Sequence, residues 1–236
     1  MTTKSLSKRL GWMSAAGAGA AVGFGMGYVG RTWYRYGRAD IDAGADPLLD
    51  RFMPACEARE RHTIGVAAPA ADTWAATLAL DLQRSRTVRA IFRGRELLMG
   101  AERVEDVGPR ALLPWALALG WGVLAEEPGH EIVVGGATRP WEANPQFRSL
   151  PPDEFAAFGE PRYVKIAWTL AAEPLGSETS FAVTETRVTA TDAYARARFR
   201  PYWTLASPGI LLIRRQALRL VKADAEGRYR ERRVSL

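Results

Sequence analysis

Glu60 and His62 stand at alternate positions in the run ARERHTIGVA, Ala58 to Ala67, where polar and apolar residues alternate. Alternate side chains of a strand point to one face. Glu60 and His62 therefore share a face with Ile64 and Val66, while Arg59, Arg61 and Thr63 take the other. Glu185 and Arg187 stand in the same relation to Phe181 and Val183 in a second alternating run. A carboxylate beside an imidazole or a guanidinium, on an otherwise apolar face, can orient a ligand or act as acid and base. The plainer outcome of the same spacing is a structural ion pair, or a strand end open to water. The second strand also has an alternative phase, with Ala182, Thr184, Thr186 and Val188 inward, which would leave Glu185 and Arg187 outside.

Chemistry that needs stricter motifs is not written in the chain. Two histidines and one cysteine, Cys56, make no zinc set. His130 falls in a turn after Pro128-Gly129. No glycine-rich phosphate loop follows a strand, and no Gly-x-Ser-x-Gly elbow occurs. No catalytic residue, metal ligand or cofactor is assigned.

The elements that must position these residues follow from periodicity. Pro69 to Leu80 and Leu82 to Arg95 read as helices, the second with Val88, Ile91 and Phe92 as its apolar stripe. Leu112 to Leu119 reads as a short helix. Trp121 to Glu126 and Glu131 to Thr138 are extended runs on either side of Glu127-Pro128-Gly129-His130, a hairpin signal. Pro140 to Pro152 reads as a loop and Asp153 to Phe158 as one or two helical turns. Tyr163 to Glu173 is the clearest strand, joined by Pro174-Leu175-Gly176-Ser177 to an antiparallel partner over Thr179 to Thr189. Asp192 caps a C-terminal helix that Pro201 and Pro208-Gly209 are expected to divide into two pieces, 193–206 and 209–222.

Ahead of these elements, Leu10 to Gly30 contains no charged side chain, and Lys4, Lys8 and Arg9 precede it while Arg31, Arg35 and Arg38 follow. Its length matches the ~20 residues of a membrane-crossing helix. Gly19, Gly23 and Gly27 continue a stripe of small residues begun by Gly11 and Ala15, a pattern that lets two membrane helices approach. A retained single-pass anchor at residues 10–30, self-associating through that stripe, is the expected arrangement. A cleaved signal segment and a Gly-rich tail are the other readings, and the flanking charges leave the membrane side undecided. The chain thus divides into an apolar Gly-rich segment with its linker at 1–45, a globular domain at 51–222 and a basic tail at 223–236.

The net charge of +6 is concentrated at the end. Residues 193–236 hold eleven Lys or Arg against three acidic residues. On an anchored chain this suggests contact with anionic headgroups, or simply a solvated helix face. Nucleic acid is not expected, because no nucleic-acid motif occurs and stacking aromatics do not alternate with the basic residues of the tail.

Three stretches resemble the SRPBCC or START-like superfamily, which includes polyketide cyclases and lipid carriers. They are His62-Thr63-Ile64-Gly65-Val66-Ala67-Ala68-Pro69 with Trp74 beyond, the hairpin Ala125 to Gly135, and Tyr163-Val164-Lys165-Ile166-Ala167-Trp168 with Glu185-Thr186-Arg187-Val188. The resemblance covers about residues 55 to 222 and implies an α+β helix-grip fold. In it a curved antiparallel sheet wraps a long C-terminal helix, here preceded by the N-terminal apolar helix. It also implies an apolar cavity between sheet and helix. Trp168, Trp121, Trp141, Phe181 and Trp203 are the expected aromatic lining, with Glu60, His62, Glu185 and Arg187 at its polar end. The function expected is binding of a hydrophobic small molecule or lipid at the membrane. A cyclase or dehydratase using Glu60, His62 or Glu185 is the enzymatic alternative, and a membrane-anchored interaction module the third.

Overall fold

The computed structural model describes residues 46–100 and 110–235, together with Gly27, Gly30 and Tyr36. Apart from Gly27 and Gly30 the apolar run at 10–30 lies outside the described residues, and so do Gly19 and Gly23. No helix among the described residues is long and apolar enough to cross a membrane.

Two long strands make the frame. β5 (Val164–Pro174) and β6 (Ser180–Ala190) pair antiparallel from Val164↔Ala190 to Pro174↔Ser180. The turn between them closes with Leu175 N–H and Gly176 N–H both donating to the Thr179 carbonyl at 3.0 Å. β1 (Ala58–Val66) pairs on the far side of β6. β3 (Glu131–Thr138) pairs with β5, and β2 (Gly122–Glu127) with β3. A short β4 (Phe147–Arg148) adds to β3 where the sequence reads only as loop. The sheet order is β1-β6-β5-β3-β2, antiparallel throughout.

One face, called inner here, carries Ile132, Val134, Leu170, Ala172 and Ala182. Two helices cover it. α2 (Ala70–Leu78) lays Trp74 on Ile132, Val134, Leu170 and Ala172. α6 (Ala193–Val234) places Leu218, Val221 and Ala225 against Val66 and Ala182. The buried stripe of α6 runs Ala195, Phe199, Trp203, Ser207, then Arg214, Leu218, Val221, Ala225, steps of four or seven at most positions as one helix face requires. The outer face carries Val133, Ala137 and Ala167, covered by Leu49, Phe52 and Met53 from α1 (Pro47–Asp50) and the turn after it, and by Phe155 of α5 (Pro152–Ala157). Gly135 is required here: a Cβ would stand 2.5 Å from Leu124 Cδ1 and 3.0 Å from the Phe155 ring. Beside these layers lie α3 (Arg86–Met99), whose Val88 and Phe92 join the inner core, and α4 (Leu112–Ala118). An antiparallel sheet gripping a long C-terminal helix is the helix-grip arrangement.

Three boundaries differ from the sequence reading. α6 is one helix of 42 residues, with Pro201 and Pro208 inside it. Pro208 removes the N–H that would bond the Thr204 carbonyl, and Ser207 Oγ donates to that carbonyl instead at 3.4 Å. Burial on both sides of the prolines, at Phe199, Trp203, Leu218 and Val221, holds the two halves in line. The tail expected from residue 223 is part of this helix: Ala225 is fully buried, and Arg232 clamps Asp72 of α2 through two bonds of 2.7 and 2.5 Å. At the other end, the stretch before residue 51 is core, since Leu49 is fully buried and Asp46 caps α1 by accepting from Leu49 N–H at 2.9 Å.

Candidate functional site

A cavity of about 160 Å³ opens between the inner face, α2 and α6. Leu80, Leu112, Leu170, Ile213 and Leu218 are among the apolar residues of its wall. β6 presents the small or β-branched residues Ala182, Thr184 and Thr186 to this space, β5 presents Trp168 and Leu170, and α6 closes it with Ile213, Leu218 and Val221. Trp168 lines the cavity and is braced edge-on by Trp121 at 5.9 Å, which stacks on Phe147 at 4.5 Å. Arg214 of α6 is the charged residue of this lining, and it is 9% exposed. Its Nη1 donates to the Glu60 carbonyl at 3.3 Å.

Of the residues expected at such a site, Trp168 lines the cavity and Trp121 supports it. Glu60 and His62 lie on the inner face, as their register with Thr186 and Thr184 requires. His62 Nε2 stands 3.6 Å from the Glu60 carboxylate and has no hydrogen-bond partner among the described residues. Trp203 and Trp141 pack elsewhere: Trp203 lies tilted on Phe199 at 5.6 Å, and both belong to the cluster of Ala58, Val164 and Val188. Phe181, Glu185 and Arg187 are corrected. β6 takes the alternative phase, with Ala182, Thr184 and Thr186 toward the cavity, so these three occupy the outer face. Alternation is symmetric, and only pairing with β1 and β5 decides which face meets the helix.

Glu185 and Arg187 are not in water there. α1 and the turn after it cover them, at 0% and 2% exposure. Arg187 Nε donates to Glu185 at 2.7 Å, and its Nη1 to Asp50 at 2.5 Å and to the Met53 carbonyl at 2.7 Å. Arg59 reaches Glu185 at 2.7 Å and Arg61 at 3.2 Å. Burial alone would raise the Glu185 carboxyl, but the hydrogen bonds and charges of Arg59 and Arg187 outweigh it and hold the carboxyl below its ordinary value. A carboxylate so enclosed by guanidinium groups is a structural brace and a poor base. Burial also pushes the nearby Cys56 thiol up, which lowers its thiolate fraction.

Further along the outer face Glu131 is 7% exposed. Burial, then the Asp46 carboxylate and a hydrogen bond to it, push Glu131 up to about 8, with Arg61 opposing. Glu127, His130 and Glu131 each bring one ligand atom within 4.8 Å of the others. Three such groups at a hairpin turn, with Glu127 mostly in water, do not by themselves hold a metal.

Arg214 is the residue that the sequence reading misses, because it is counted there among the basic residues of the C-terminal end. The signal was its spacing: it precedes Leu218 by four and Val221 by seven, which puts it on their buried stripe. Other basic residues of this end are engaged within the fold. Arg196 pairs with Glu57, Lys222 with Glu226, and Arg232 with Asp72.

No protein-family model matches the chain, and no curated protein matches it. Among solved structures it is similar to norcoclaurine synthase from Thalictrum flavum in complex with dopamine and hydroxybenzaldehyde, at 13% identity over 78% of this chain and 95% of that one, with a TM-score of 0.36. It is also similar to the Zhui aromatase/cyclase from Streptomyces sp. R1128, at 16% identity over 72% and 94% with a TM-score of 0.29. A hypothetical protein from Helicobacter pylori aligns at 10% identity over 79% and 98%, with a TM-score of 0.37. Identities and scores this low do not transfer a ligand or a reaction.

Proposed function

We propose that this protein binds a small hydrophobic molecule in the cavity between the inner sheet face and α6, and does so at a membrane. The observation that carries the binding reading is the apolar cavity itself, walled by Leu, Ile and Trp side chains and floored by threonines. Its volume of about 160 Å³ is close to the ~150 Å³ of an apolar cavity that accepts benzene. It is below the ~300–1,000 Å³ of pockets that enclose drug-sized ligands. One ring or a short chain fits, whereas a whole lipid requires α6 to move outward. The membrane half of the proposal is supported by the uncharged run at residues 10–30 and extends to self-association through Gly19, Gly23 and Gly27.

Native mass spectrometry of the full chain purified from cells, with solvent extraction of bound material, tests the binding reading. A discrete small molecule at one per chain is the expected result. An empty chain that also takes up no one-ring hydrophobic probe refutes it. Membrane tethering is tested separately: the full chain fractionates with membranes and resists carbonate extraction, and deletion of residues 10–30 releases it.

A second reading has one observation in its favour. His62 Nε2 is buried without a hydrogen-bond partner among the described residues, beside the Glu60 carboxylate, an arrangement suited to acid–base chemistry on the bound molecule. Glu185 drops out of that reading because it lies on the outer face. His62→Gln separates the two, since it abolishes turnover if the pair is catalytic and leaves a binder still loaded.

A further inference from the structure

Resting on the reading that the protein works at a membrane, we propose that the outward stripe of α6 docks on the headgroup surface of an anionic bilayer. The first reason is the pattern of that stripe. Arg198, Pro201, Leu205, Pro208, Leu212 and Arg215 follow one another at alternating steps of three and four, so they share one side of the helix. Tyr194 and Arg219 extend it by one step at either end. Phe199, Trp203 and Leu218 lie on the other side and pack in the core. Leu205 is 75% exposed and Leu212 44%. An apolar centre thus stands in water between cations, the pattern of a helix that lies in a membrane interface. Arg162 sits over the Tyr194 ring at 5.0 Å, and an aromatic ring among cations suits the headgroup level.

The second reason is charge. From Ala193 to Ala223 the helix holds seven Lys or Arg and no acidic residue. Arg196 and Lys222 pair within the fold with Glu57 and Glu226, whereas Arg198, Arg215 and Arg219 are exposed. Against a second copy of this stripe, parallel or antiparallel, arginine would meet arginine. Anionic headgroups supply the opposite charge across a broad surface. The third reason is position. Tyr36 donates to Glu57 at 2.6 Å and lies tilted on Phe199 of α6 at 6.0 Å. Gly30, the end of the uncharged run, precedes Tyr36 by six residues, a reach of at most ~22 Å when fully extended. A bilayer that holds the run is therefore close to the N-terminal half of α6. The same helix walls the cavity with Ile213 and Leu218, so the docked stripe and the cavity share one element.

The test mixes the full chain with vesicles of phosphatidylcholine, alone or with about one-third phosphatidylserine. A nitroxide at Leu205→Cys, in a Cys56→Ser background, reports immersion by its collisions with oxygen and with a water-soluble nickel chelate. The same label at Leu175→Cys, a residue 64% exposed at the β5–β6 turn, is the control. On vesicles with phosphatidylserine the Leu205 label is expected to leave the reach of the chelate while the Leu175 label stays in water. Replacing Arg198, Arg215 and Arg219 by Gln together lowers the ratio of docked to undocked chains about 100-fold, from about fivefold per cation. If the labelled chain fails to fold, protection of Arg215 and Arg219 from phenylglyoxal by the same vesicles decides on the wild type. A Leu205 label that stays in water while the chain sediments with the vesicles overturns the docked stripe and leaves the tether standing. Sedimentation only with phosphatidylserine, lost in the triple variant, supports the stripe and overturns the tether. Sedimentation with neither vesicle overturns both. A Leu205 label shielded before vesicles are added means that protein covers the stripe, and it overturns the bilayer as occupant.

Discussion

Replacing Glu131 by glutamine changes how stability responds to pH, and the structure gives the size of the effect. Glu131 belongs to β3 and faces Asp46, the N-cap of α1. Burial first, and then the Asp46 carboxylate, push its carboxyl up to about 8 from 4.5. Between those two values the native chain holds a proton that the unfolded chain has released. The contribution of Glu131 to stability must therefore fall as pH rises. That contribution is greatest below 4.5, declines by up to about 1.4 kcal/mol per pH unit, and stops declining above about 8. Once ionised, Glu131 repels Asp46 and loosens the cap of the helix that covers Arg187. A glutamine side chain in its place keeps a donor for Asp46 and has nothing to titrate. Chemical denaturation at pH 5, 6, 7, 8 and 9, on wild type and Glu131→Gln, reads the difference. Other groups that titrate in this window are common to both proteins and cancel. The variant is expected to gain on the wild type steadily from pH 5 to 8, by a few kcal/mol in total, and to be the more stable protein at pH 9. Parallel curves for the two proteins would refute the shared proton and the burial that produces it.

Three other perturbations have definite outcomes. Arg187→Met leaves Glu185 buried with part of its cation shell removed and should destabilise by about 3–5 kcal/mol in urea denaturation, while Arg187→Met with Glu185→Leu should recover part of that loss. Phe199→Ala empties a fully buried ring site on α6 and should cost about 3–5 kcal/mol by the same measurement, with the cavity end of the helix unaffected in its probe affinity. Asp192→Ala removes the N-cap whose Oδ1 accepts from Ala195 N–H at 2.6 Å; thermal unfolding should show a loss of about 1 kcal/mol.

The nature of the elements, and roughly their limits, could be read from the chain. Alternation in Val164 to Leu170 and in Ala58 to Val66 predicts strands, and the Pro-Gly turn predicts the hairpin, because period and turn chemistry are local properties. The same locality explains the failures. Pro201 and Pro208 read as breaks because a missing N–H is visible in sequence, whereas the Ser207 hydroxyl and the packing of Phe199 and Trp203 that compensate are tertiary. The stretch before residue 51 reads as linker because Leu48, Leu49, Phe52 and Met53 are too few to show a period, yet they pack on the outer sheet face.

For the site, local pattern was enough to say which residue types were on hand and which pairs shared a face: Glu60 with His62, and Glu185 with Arg187. Which face met the helix was settled by assembly of the layers. Period two is the same from either side of a sheet, so Glu185 and Arg187 could be assigned to the cavity or away from it with equal local sense. Strand pairing sent them under α1, to the outer face. The length and stripe of α6 brought Arg214, from about 150 residues further along the chain, to the Glu60 carbonyl. A charge that composition counts as surface became the charge of a buried wall because burial is a property of the assembled layers.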